Sequence, residues 1–109
     1  MKLVACEILI PRLSDRTRKP FPANKVRGWR RELARRFGGY TDRGAVAGVW
    51  MDEQGQLVGD ESNCYLVAVE PARVEELRAF AREACKTFDQ RCIYFQIVGW
   101  AELLYPGEE

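Results

Sequence analysis

Two stretches with apolar residues at helical spacing, set between runs of strand-forming residues, constrain the fold of this chain most strongly. Their apolar positions, which recur every three or four residues, are Val26, Trp29, Leu33 and Phe37 in the first stretch and Val74, Leu77, Ala81, Ala84 and Phe88 in the second. Strands are predicted over residues 3–11, 45–51, 64–69 and 91–100. The predicted element order is therefore β-α-β-β-α-β.

This order is typical of the ferredoxin-like split βαβ arrangement. Right-handed crossovers place both helices on one face of a four-stranded antiparallel sheet, with the first strand between the third and the fourth. The nearly continuous apolar character of residues 3–11 favours that central position. We therefore predict an α+β, two-layer β-α-β-β-α-β ferredoxin-like sandwich, formed by a single domain over residues 1–109.

Period-two alternation assigns the strand side chains to the two faces of this sheet. The side chains predicted to point at the helices are Val4, Cys6, Ile8, Ile10, Tyr65, Val67, Val69, Ile93, Phe95 and Ile97. The opposite, open face receives Ala5, Glu7, Leu9, Cys64, Leu66, Ala68, Tyr94, Gln96 and Val98, joined by Val46 and Trp50 unless a bulge reverses the second strand.

The open face is mostly apolar, although the uncovered face of an antiparallel sheet is normally polar. Large apolar patches of this kind are usually covered. Three groups could cover the open face: a second copy of the chain, a ligand held in a cleft, and the residues that follow Trp100. We expect sheet-to-sheet homodimerisation first, with Leu9, Leu66, Val98 and Trp50 among the buried residues and a different protein partner as an alternative.

Few side chains in the sequence suit catalysis. The chain has no histidine, which excludes Ser-His and Cys-His nucleophiles, and its four cysteines lack the C-x-x-C spacing of metal and redox motifs. Glu7, in the central strand, either becomes a usable acid or base or simply bonds an arginine or a partner chain; the second interpretation is favoured. We predict no catalytic residue, no metal and no cofactor, with a small-molecule enzyme cleft around Glu7, Tyr94, Trp50 and Cys64 as an alternative.

Charge is unevenly distributed along the chain. Residues 12–43 carry eleven Lys or Arg against three Asp or Glu, a local charge of +8 in a chain of net charge +1. Arg27, Arg31 and Arg35 follow one another at helical spacing and form a candidate phosphate-binding stripe. Because no aromatic run interleaves with these bases, we expect at most weak, sequence-independent nucleic-acid binding. The alternative is a solvated helix face paired with acids elsewhere.

No apolar run approaches the roughly 20 residues of a membrane-spanning helix. Only Leu3, Val4 and Ala5 precede Cys6, which is too short for the apolar part of a lipoprotein signal. The expected location is therefore the cytoplasm, with no membrane partner and with the cysteines reduced.

Several short motifs carry a resemblance. They are Phe37-Gly38-Gly39-Tyr40-Thr41, Gly48-x-Trp50, Gly55, Asp60-x-Ser62 and Phe88-x-Gln90. Together they resemble small uncharacterised bacterial α+β proteins with the same element order. The resemblance implies a bacterial α+β domain without a known activity, and it marks Trp50, Asp60 and Ser62. The leading functional interpretation is a non-catalytic binding or regulatory module that self-associates.

Overall fold

A computed structural model of the chain describes residues 1–107. Its elements, in chain order, are β1 (Lys2–Pro11), α1 (Ala23–Phe37), β2 (Thr41–Met51), β3 (Leu57–Val69), a single 3-10 turn (Pro71–Arg73), α2 (Val74–Thr87) and β4 (Tyr94–Glu102). The predicted domain extends to residue 109, and its last two residues lie outside this described part.

The four strands form one antiparallel sheet in the order β2-β3-β1-β4. The predicted α+β sandwich is therefore confirmed, with the first strand between the third and the fourth. Sheet residues that point to one side, among them Cys6, Ile8 and Val67, form a single core with both helices. The other side of the sheet has no helix over it among residues 1–107.

An aromatic cluster around Trp29 joins the two layers. The Trp29 ring centroid lies 5.3 Å from that of Tyr65 on β3, 5.6 Å from that of Phe80 on α2 and 5.7 Å from that of Phe88 after α2. Aromatic pairs at these separations add stability beyond the burial of their area. One tryptophan thus connects both helices to the sheet.

Helix α1 ends where its sequence predicts. Gly38 takes the left-handed conformation, with φ of 83°, and its N–H donates to the carbonyl of Ala34 at 2.9 Å. Glycine adopts this conformation without the steric cost that a Cβ would bring. The chain can therefore turn at once into β2.

The strands β2 and β3 are longer than predicted. They form a hairpin that extends beyond the last β1–β3 pair, Pro11 with Ser62. Residues 47–61, which we call the overhanging hairpin, have a polar, glycine-containing second half that lacks the apolar alternation of a buried strand. Its turn forms as predicted, with Gly55 N–H donating to the Asp52 carbonyl at 3.1 Å.

A bulge in β4 changes the predicted faces at one end of the sheet. The β1–β4 register shifts between Ala5 and Cys6, and Gly99 takes a φ of 153°. Ile97 pairs with Cys6 and so lies on the helix side as predicted, but on this edge strand it is 48% exposed. Val98 has no partner on β1.

Truncating the fully buried Leu33 to alanine tests the core. We expect Leu33→Ala to lower the free energy of unfolding by about 2–5 kcal/mol, because the lost burial is combined with a cavity. The same change at the exposed Leu104 should alter it by no more than about 0.5 kcal/mol. Urea denaturation followed by circular dichroism measures both, and equal effects would contradict the assigned core.

Candidate functional site

Cross-strand pairing confirms the predicted faces of β2 and β3. Glu7 pairs with Leu66 and Leu9 with Cys64, so these four side chains share the open face. Trp50 pairs with Val58, which lies on that face as well. The register shift in β2 falls between Asp42 and Ala45, before Val46, and therefore leaves the predicted orientation of Val46 and Trp50 intact.

Trp50 and Tyr94 meet over the open face from opposite edges of the sheet. They belong to β2 and β4, yet their ring centroids are only 6.2 Å apart, at an interplanar angle of 45°. Neighbouring strands lie about 4.8 Å apart, so three steps across a flat sheet would separate the two strands by about 14 Å. The overhanging hairpin therefore curls across the open face, in the sense that strand twist allows.

The curled hairpin creates a cleft with two adjoining lobes, which we call the sheet-face cleft. The lobes have volumes of about 340 Å³ and about 470 Å³. Side chains shared by both lobes are Leu9, Trp50, Asp60, Ser62 and Tyr94. Concave sites of this size that combine apolar walls with a few polar groups are typical of small-molecule binding.

The smaller lobe contains a linked carboxylate and thiol. Cys64 Sγ donates a hydrogen bond to Glu7 Oε1 at 3.1 Å, and Arg43 Nη1 lies 3.9 Å from the same oxygen. Burial, followed by the hydrogen bond and the charge of Glu7, raises the pKa of the Cys64 thiol to about 11. Cys64 is therefore protonated near neutral pH and is a poor nucleophile.

The cleft brings together five of the eight sheet-face candidates. Glu7, Leu9, Trp50, Cys64 and Tyr94 line it. The other three, Leu66, Gln96 and Val98, are not among its lining residues. Gln96 lies opposite Glu7 but accepts its hydrogen bond from the Tyr94 hydroxyl, at 3.0 Å.

Two residues that the resemblance marks lie in the cleft. Asp60 and Ser62 line both lobes. Burial raises the pKa of the Asp60 carboxyl, against an opposing effect of Arg18. Asp15, which lines the larger lobe, was not a candidate because it stands in an irregular loop without periodicity. Gln90 lines the same lobe, and the Phe88-x-Gln90 motif was the only signal for it.

Much of the basic segment is paired with acids. Arg35 contacts Glu32 at 2.5 Å within the stripe helix. The ion pairs that join the segment to acids elsewhere are Arg12–Glu61, Arg16–Asp89, Arg36–Glu76 and Arg43–Glu7. Within residues 1–107, Arg27 and Arg31 are exposed and have no carboxylate within 4 Å. This pattern favours a solvated, partly paired helix face.

Neither a compact metal site nor a membrane span is found in the described part of the chain. No three His, Cys, Asp or Glu side chains of residues 1–107 come close enough to hold a metal ion together. No helix within the same residues is long and apolar enough to cross a membrane.

Alkylation of the native protein tests the Cys64 environment. We expect iodoacetamide to modify the exposed Cys92 first and to modify Cys64 only as pH rises toward its pKa of about 11. Glu7→Gln removes a negative charge, which lowers the Cys64 pKa, so alkylation should begin at lower pH. Glu83→Gln on α2 is the control, and peptide mass spectrometry gives the rates. Equal rates for Cys64 and Cys92 at neutral pH would contradict the assignment.

Comparisons with known proteins show the fold and nothing finer. No family model matches the sequence, and no curated protein matches it significantly. The solved divalent cation tolerance protein (Cut A1) from Thermus thermophilus is similar at a TM-score of 0.59 and 12% identity, over 98% of this chain and 88% of that chain. A phage SAM lyase in complex with S-methyl-5'-thioadenosine is similar at a TM-score of 0.59 and 17% identity, over 98% of this chain and 93% of the lyase. Both likenesses support the ferredoxin-like α+β fold.

Proposed function

We propose that this chain is a small non-catalytic binding module that self-associates through its open sheet face. The observation that carries the proposal is the exposure of large apolar side chains on that face. Trp50 is 48% exposed, Val58 38% and Val46 37%. Transfer of such area from water into a contact is the main driving force of protein association.

The overhanging hairpin adds a second argument. Val49, Met51 and Leu57, on its other face, are 67%, 69% and 70% exposed. A two-stranded ribbon on its own is at best marginally stable in water. A second copy bound on the open face would stabilise the ribbon through the side that carries Trp50 and Val58, whereas Val49, Met51 and Leu57 on the other side would stay exposed.

The residues after Trp100 were the alternative cover for the open face, and their positions give that alternative little support. Leu103 exchanges backbone hydrogen bonds with Met1, which extends the β1–β4 pairing. Leu104 and Tyr105 beyond it are 83% and 50% exposed, whereas a segment that covered the open face would bury its own apolar side chains. A second copy therefore remains the favoured cover.

The negative charge of Glu7 opposes this contact less strongly than it would if Glu7 had no ion-pair partner. Arg43 of the same chain lies 3.9 Å from the Glu7 carboxylate and reduces the repulsion between two copies that meet face to face. A two-fold contact requires only that one surface be complementary to itself. A stable interface buries about 800 Å² per partner, an area that one face of a four-stranded sheet can supply.

The proposed setting is the reducing cytoplasm of a bacterium, in line with the sequence resemblance. All four cysteines are free thiols, and reducing compartments keep thiols in that state. An enzyme built on the cleft has less support, since Cys64 is held protonated and Glu7 is paired with Arg43.

A charge placed on the open face tests self-association. We expect Leu66→Asp and Val98→Asp each to convert the oligomer to monomer, because an uncompensated charge would be buried in the contact. Ala79→Asp, on the exposed side of α2, should leave the oligomer unchanged. Sedimentation velocity gives the mass, and circular dichroism checks that the helices remain folded. A monomeric unmodified protein at tens of micromolar would defeat the proposal.

A nucleic-acid-associated role is the second candidate, favoured by the unpaired Arg27 and Arg31. We expect weak binding of an oligonucleotide at low salt, lost when Arg27, Arg31 and Arg35 are all changed to glutamate. The matched control changes Arg78, Arg82 and Lys86 to glutamate, which places the same charges at the same spacing on α2. Fluorescence anisotropy measures binding, and equal loss in both variants would show that the α1 stripe has no specific role.

A further inference from the structure

The sheet-face cleft is lined by acids and by no base. Glu7 lines the smaller lobe, Asp15 the larger and Asp60 both, while no Lys or Arg of residues 1–107 lines either. The contrast is notable because residues 12–43 carry a local charge of +8. The interior of the cleft therefore favours a positively charged occupant.

Nearby arginines approach two of the three carboxylates from outside the cleft. Arg43 lies 3.9 Å from Glu7, and Arg18 lies 3.9 Å from Asp15. Asp60 has no ion-pair partner within 4 Å among residues 1–107 and is only partly exposed. It is thus the carboxylate of the cleft without a direct ion pair, although Arg18 also acts on it from a longer distance.

Two aromatic rings form the wall beside Asp60. Because the centroids of Trp50 and Tyr94 are 6.2 Å apart, a cation placed over the opening between the rings lies within about 6 Å of both, the range of cation–π attraction. The Tyr94 hydroxyl donates to Gln96, which holds that ring in place. Both rings are nearly half exposed, so their faces are accessible.

The arrangement suits an organic cation better than a metal ion. Hard metal ions require several oxygen ligands converging at short distance, and no such group exists within residues 1–107. An alkylated ammonium has low charge density and binds through aromatic faces with a carboxylate nearby. Leu9 supplies an apolar floor for its methyl groups.

We propose that the sheet-face cleft binds an organic cation, an alkylated ammonium group that lies against Trp50 and Tyr94 with Asp60 as its counter-charge. This site goes beyond the proposed self-association and is complete in a single chain, and it competes with that contact for Trp50, which both would cover. Together, the two lobes are large enough to hold the rest of a small ligand beyond its cationic head.

Calorimetric titration with choline tests the site. We expect saturable choline binding, and binding weaker by about tenfold for dimethylbutanol, the neutral alcohol of the same shape in which carbon replaces the quaternary nitrogen. Trp50→Leu and Asp60→Asn should each weaken choline binding by about fivefold or more. Asp60→Asn should affect binding of the neutral alcohol less than it affects binding of choline.

Matched variants separate the cleft from its surroundings. Trp100→Leu removes an exposed tryptophan outside the cleft, and Glu61→Gln neutralises the neighbour of Asp60 on the opposite face of the hairpin. Both should bind choline as the unmodified protein does. Equal affinity for choline and the neutral alcohol, unchanged binding by Trp50→Leu, or displacement of choline by stoichiometric zinc would each overturn the proposal.

Sedimentation of the same samples separates this site from self-association. We expect Asp60→Asn to lose choline affinity while its oligomeric mass is unchanged, and Val98→Asp to become monomeric while it still binds choline. Choline binding that disappears in the Val98→Asp monomer would overturn the proposal that one chain suffices for the site.

Discussion

The packing of Trp29 against three other aromatic rings is the contact on which the rest of the structure depends. Tyr65 belongs to the sheet, Phe80 to α2 and Phe88 to the segment after it, so a single buried side chain holds both helices against one face. The opposite face is left without a helix as a consequence. The sheet-face cleft and the proposed self-association contact both lie on that uncovered face.

The unequal lengths of the strands give the uncovered face its shape. The β2–β3 hairpin continues past the end of β1, and strand twist brings its Trp50 across to Tyr94 on the far edge. One side of the overhanging hairpin becomes a cleft wall, and its other side is left exposed and apolar. Ligand binding and self-association, as proposed, therefore draw on the same element.

Ion pairing affects the basic segment, residues 12–43, and the acids of the sheet-face cleft differently. Acids from the rest of the chain pair with four arginines of residues 12–43, which offsets about half of the local charge of +8. One of these arginines, Arg43, lies 3.9 Å from Glu7 and would reduce the charge repulsion in the proposed contact on the open face. Asp60 has no ion pair within 4 Å in the described residues, which is why we proposed it as the counter-charge of a bound cation.

Local periodicity determined the two helices, the element order and the face of each central strand residue, since these features depend on neighbours within a few positions in the chain. The end of α1 at Gly38 was predictable for the same reason. Only the tertiary structure decided the length of the hairpin, the bulge near Gly99 and the meeting of Trp50 with Tyr94. The sequence predicted that Glu7 would bond an arginine or a partner chain, but it identified neither Arg43 as that arginine nor Cys64 as a hydrogen-bond donor to Glu7. Each of these joins residues that are distant in the chain, and their positions depend on how the sheet twists, which no local pattern encodes.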